Sequence, residues 1–188
     1  VLTDKEIRKI WTELADLHST EVGQVIKFCF ITGQRIGEVV GLTRSELDLD
    51  HKVWNIPGSR TKNGFAHSVP LSPMALALIN RVADGFGISR ARVIDVIRQQ
   101  LQFGRGERWT AHDIRRTVLT KMAELGVAPI VLGHVANHRT TTKAGITLGV
   151  YVQHAYEREK REALEMWANR LQGILSGGAE VVSIGSKR

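Results

Sequence analysis

Cysteine is almost missing from this chain: Cys29 stands alone, inside the apolar run Val25-Ile26-Lys27-Phe28-Cys29-Phe30. One thiol cannot close an internal disulfide, so no cross-linked framework is expected, and a reducing, cytoplasmic setting fits. Among apolar neighbours Cys29 reads as a small buried hydrophobe, not a nucleophile. No apolar stretch reaches the roughly 20 residues that cross a bilayer. The first residues lack a basic segment followed by an apolar one, so no secretory signal is read. Tyrosine is scarce as well, with only Tyr151 and Tyr156. Acidic residues are the minority charge, 19 Asp and Glu against 26 Lys and Arg, giving a net charge of +7 and a pI near 9.9. That balance points to a polyanionic partner, of which nucleic acid is the commonest, although a basic surface alone does not require one. What is present suits a folded globular domain: 188 residues, 43% hydrophobic and 24% charged.

The pattern along the chain is mainly α with one small antiparallel sheet. Thr3 offers an N-cap and Glu6 its capping-box partner, followed by Ile7, Ile10, Trp11, Leu14 and Leu17 at helical spacing. A second helix carries Val22, Val25, Ile26 and Cys29 and stops at Thr32-Gly33, with a short helix beginning around Gln34. Val53–Ile56 and His67–Leu71 read as strands joined by a basic turn over 57–66. Further helices are expected over 72–83, 90–103 and 110–125, the last ended by Gly126. A short helix follows from Pro129, then a polar loop over 136–149 and a long charged helix over 155–175. Residues 1–176 read as one domain. Residues 177–188 read as a flexible tail with a possible short strand at 181–184. The chain opens directly on a helix start, so a segment lost upstream is expected.

Taken singly, the polar candidates are unremarkable. Arg35 and Glu38, three apart, read as a surface ion pair. His112 and Arg115 share a helix face beside the apolar stripe Ile114, Val118 and Met122, which puts them at the edge of the core. His134 and His138 are four apart, but no Glu follows the first His and no third ligand is evident, so a zinc site is not read. Lys62 sits at the tip of the hairpin, where lysine is usually just solvated.

Their order and spacing are more telling. From Leu2-Thr3-Asp4 to Trp167-Ala168 the chain resembles the tyrosine recombinases, in particular the integrases of prophages and genomic islands. The resemblance rests on Thr32-Gly33-Gln34-Arg35-Ile36-Gly37-Glu38, then Arg60-Thr61-Lys62-Asn63-Gly64 closing with Val69-Pro70-Leu71-Ser72. His112-Asp113-Ile114-Arg115-Arg116-Thr117, Leu132-Gly133-His134 and Tyr151 complete it. It implies a tyrosine recombinase catalytic-domain fold, without the family's N-terminal core-binding domain. It also implies a site of Arg35, Lys62, His112, Arg115, His134 and the nucleophile Tyr151, supported by Glu38.

The implied chemistry suits those residue types. A tyrosine oxygen attacks a DNA phosphodiester, leaving a 3′-phosphotyrosine and a free 5′-hydroxyl that later reverses the step on another strand. Two arginine forks suit the charge that builds on the non-bridging oxygens, and His134 adds a donor. Free tyrosine has a pKa of about 10, so only about one in a thousand is ionised at neutral pH, and His112 is the family's base. Lys62 would protonate the leaving 5′-oxygen. Neither a metal nor another cofactor is implied. The partners would be double-stranded attachment sites and, for the full-length protein, further copies in a tetramer, in a bacterial or prophage-encoded, nucleoid-associated setting. Two departures stand out. The stretch between His134 and Tyr151 is long, which keeps Tyr156 as an alternative nucleophile, and the segment 84–89 is short. Two other functions share these features: relaxation of DNA by a type IB topoisomerase, and DNA binding by an accessory protein that has lost catalysis.

Overall fold

The computed structural model describes residues 1–82, 84–103, 108–138 and 156–177. Among these residues the elements run α1 (Asp4–Glu13), α2 (Thr20–Thr32), α3 (Ile36–Val40), β1 (Leu47–Asp48), β2 (Val53–Ile56), β3 (His67–Pro70), α4 (Pro73–Ile79), α5 (Arg90–Gln100), α6 (Ala111–Glu124), α7 (Pro129–Val135) and α8 (Glu157–Leu175). The mainly helical fold with a small antiparallel sheet is therefore as expected. Helix starts follow their caps. Thr3 and Glu6 form the expected box, Thr110 and Asp113 form another, and the Ser72 and Ser89 hydroxyls accept from the backbone three residues on.

Several boundaries differ from the sequence reading. α4 ends at Ile79 and α5 at Gln100, each three or four residues early, because the apolar spacing continues past the last helical hydrogen bond. α3 begins at Ile36, with Arg35 outside it as the N-cap residue. The hairpin gains a third strand: β1 pairs antiparallel with β2, Leu47 opposite Trp54, and β2 pairs with β3, Trp54 opposite Val69. A two-residue strand has too little period to be read from sequence. A single 3-10 turn, Gly58–Arg60, opens the hairpin loop.

α2 is buried along most of its length and packs against α3, α4, α5, α6 and α8. Its Phe28 ring lies 5.7 Å from Trp54 of the sheet and 5.8 Å from Phe86, which anchors the short segment 84–89 in the core. Trp167 of α8 is fully buried and donates from Nε1 to the Phe30 carbonyl at 2.7 Å, so its one polar atom is satisfied. α8 also lies along β3 and α7, which brings the sheet, α6 and α7 around the end of α2.

Candidate functional site

The site starts from the way α2 ends. Gly33 takes a left-handed conformation (φ 67°) that a side chain would strain. The Thr32 hydroxyl donates to the Phe28 carbonyl at 2.7 Å and accepts from the Gln34 backbone at 3.3 Å, fixing the turn. Arg35 then caps α3. Its backbone N–H donates to Glu38 Oε2 at 3.2 Å and its Nη1 donates to Glu38 Oε1 at 3.0 Å. The pair read as a surface ion pair is thus half-buried: Glu38 is only 3% exposed, and its carboxylate holds both ends of Arg35.

Arg115 reaches the same turn from α6. It is 4% exposed, deeper than the core edge that its spacing suggests. Its Nη1 donates to the Gly33 carbonyl at 2.9 Å and to Gln34 Oε1 at 3.4 Å, and its Nη2 donates to the Ala136 carbonyl at the end of α7. Burial pushes its pKa down to about 10, the nearby Arg35 adds to the fall and Glu38 opposes it, so the guanidinium stays charged at neutral pH. A guanidinium has five N–H donors, and these bonds leave some of them for a ligand. Two positive forks beside one another, short of counter-charge, form a ready anion site.

Histidines stand on the elements that hold the pair. His112 is exposed one turn before Arg115 on α6, and His134 is half-buried near the end of α7. His138 lies near the charges: burial lowers its pKa, and Arg115, Arg35 and His112 lower it further. The His134 ring stacks on Tyr156 at the start of α8, with centroids 4.3 Å apart and planes 17° apart. Lys62 is exposed on the hairpin loop and has no hydrogen-bond or ion-pair partner among the described residues; its neighbour Asn63 is tied to Asn137 beyond α7. Tyr151 and the 181–184 segment lie outside the described residues.

Two members were not legible in sequence. His67 of β3 is 6% exposed, and its pKa falls to about 3, first through burial, then through Lys160 and Arg115, against a hydrogen bond from the ring to the Val135 carbonyl. Its Nε2 is buried without a partner. Lys160 of α8 is also buried, donating to the Ser68 carbonyl at 2.7 Å and to Glu157 Oε1 at 2.6 Å. Burial lowers its pKa and Glu157 opposes that. By contrast Cys29 is inert as expected: burial and the nearby Glu38 push its thiol pKa up.

With that geometry in view, comparison with known proteins is specific. Residues 1–91 match the model of the phage integrase family. No curated protein matches the chain by sequence. Among solved structures, the integrase from mycobacterium phage Brujita is similar with a TM-score of 0.67 at 16% identity, over 92% of this chain and 62% of that one. The XerA recombinase gives 0.58 at 16%, over 86% and 61%. The Tn1549 transposon integrase in complex with transposon right end DNA gives 0.56 at 17%, over 84% and 65%. The chain spans less than two thirds of each of these three. The resemblance to the tyrosine recombinases read from the ordered boxes is borne out, and the fold is that of their catalytic domain. Within the matched segment, residues 1–91, lie the Arg35 turn and the Lys62 hairpin; Arg115, His112 and His134 lie beyond it.

Proposed function

We propose that this chain is the catalytic domain of a site-specific DNA recombinase that cleaves and rejoins strands through a 3′-phosphotyrosine, integrating or excising a mobile element. The observation that carries the reading is the pairing of Arg35 and Arg115 at one turn, in a fold shared with integrases, one of which was solved on DNA. The two guanidiniums bind the scissile phosphate and stabilise the charge on its non-bridging oxygens. His134 adds a donor, His112 takes the proton of Tyr151, and Lys62 gives one to the leaving 5′-oxygen. The exchange needs no nucleotide, since the phosphotyrosine keeps the bond energy for rejoining. Residues 1–176 form the domain, 177–188 its tail, and self-association on attachment sites completes the assembly.

In this reading Tyr151 is the nucleophile, and Tyr156, whose ring stacks on His134, holds the imidazole flat. The test uses the full-length protein and its own attachment site as a nicked duplex that traps the covalent complex. Tyr151→Phe yields no covalent complex. Tyr156→Phe, which keeps the ring, yields it at close to the parent rate. Tyr156→Ala, which removes a stack worth roughly 1 kcal/mol, slows it severalfold. A covalent complex from Tyr151→Phe, or none from the parent, overturns the assignment.

A further inference from the structure

The loop that carries Lys62 is fastened to the far end of α7. Asn63 Nδ2 donates to the Asn137 carbonyl at 2.8 Å. Asn137 Nδ2 donates back to Asn63 Oδ1 at 3.2 Å and reaches the Phe65 carbonyl at 3.5 Å. Asn63 Oδ1 also accepts from the Phe65 backbone at 3.2 Å, which shapes the tip. The two asparagines are 74 residues apart in the chain. Asn137 is 8% exposed and has φ 45°, the left-handed region that most side chains avoid. The conformation closes α7: the His138 N–H donates to the Gly133 carbonyl at 2.8 Å and the Asn137 N–H to the His134 carbonyl at 3.1 Å, and asparagine is among the few types besides glycine that suit this position.

We infer that Asn63 and Asn137 form a latch that positions Lys62 for proton delivery to the leaving 5′-oxygen. The inference rests on the recombinase reading above. In the step concerned the Tyr151 oxygen–phosphorus bond forms and the phosphorus–5′-oxygen bond breaks. The phenol proton passes to His112, and the 5′-oxygen takes its proton from Lys62. Lys62 is exposed and otherwise unheld, so its reach depends on where the loop is pinned. The latch pins it at the residue immediately beside the lysine. Because the other half of the latch follows three residues after His134, it also sets the proton donor and the phosphate-binding histidine in one frame. Neither asparagine touches the reacting atoms; both are positioning residues.

A leaving group that needs no proton separates this role from general disruption. Sulfur in place of the bridging 5′-oxygen leaves as a thiolate, whose conjugate acid has a pKa of about 8.5, far below that of a hydroxyl. Covalent-complex formation by the full-length protein is timed on nicked attachment-site duplexes with oxygen or sulfur at that position. Asn137→Gly keeps the left-handed turn and removes only the side chain, while Asn63→Ala changes an exposed loop residue. Each variant is expected to be about tenfold slower than the parent on oxygen and within about twofold of it on sulfur, with the double variant no slower than the slower single. Parent-like rates on oxygen, or equal slowing on both substrates, overturn the latch. A parent that forms no covalent complex on either substrate overturns the recombinase reading and the latch with it.

Discussion

His67 makes the fold sensitive to acid. The unfolded chain binds a proton at this ring near pH 6.5, whereas the folded chain resists it until about pH 3 because the ring is buried among Lys160, Arg115 and Arg35. Between those values the unfolded state holds one more proton, so stability falls as pH falls, by about 1.4 kcal/mol per pH unit from this group. Above pH 6.5 the contribution is flat. Thermal melting from pH 7 to pH 5 should show that loss in the parent and a shallower one in His67→Asn, whose amide can still donate to the Val135 carbonyl. Equal slopes in the two proteins would remove His67 as the cause. The residue also shows where reading the sequence stops. Arg35, Arg115 and His134 stand in recognisable boxes, so they were legible at once. His67 and Lys160 owe their character to burial by each other's elements, and the Lys160 bond to Ser68 spans 92 residues. No local pattern encodes such a contact.

At the scale of elements, the β2–β3 hairpin depends on Arg60, which sequence placed in a family box without a role. Its Nε and Nη2 grip Glu46 at 2.6 and 2.7 Å, Glu46 also accepts from Trp54 Nε1 at 2.9 Å, and Nη2 reaches the Glu38 carbonyl at 3.3 Å. The hairpin is thereby bolted to the helix that carries Glu38. Gly41 makes room for this: a Cβ there would meet Arg60 Nη1 at 2.0 Å. The clash is with the far end of a flexible side chain, so Gly41→Ala should turn the guanidinium partly off Glu46 at a cost of about 1 kcal/mol, measured by urea unfolding. A loss below about 0.5 kcal/mol, the range of an ordinary surface change, would mean that Arg60 moves aside freely. The helices themselves were legible because caps and apolar spacing agree. Their ends were not, since Val82 and Phe103 prolong the apolar pattern after the helices stop.

For the whole molecule, net charge and the paired arginines predict how DNA is held. Phosphate contacts dominate a single domain of this kind, so affinity for duplex DNA should drop by at least about tenfold between 50 and 200 mM salt. Arg35 is partly exposed, and among the described residues its guanidinium bonds to Glu38. Arg35→Ala should flatten the plot of log affinity against log salt by about 0.9, the value of one phosphate, and should also cost about 3 kcal/mol of stability, because it leaves the buried Glu38 carboxylate without its guanidinium. An unaltered slope would place Arg35 away from the phosphates.

Arg115 cannot be treated in the same way. Its bonds to Gly33, Gln34 and Ala136 join the end of α2 to the end of α7, so the group proposed to grip the phosphate is also a keystone of the architecture. Losing it would take the fold along with the chemistry. A lineage drifting from enzyme towards passive DNA-binding protein must keep this arginine to go on folding. An intact Arg115 is therefore poor testimony that a relative is still active, and a missing one is good testimony that it is not.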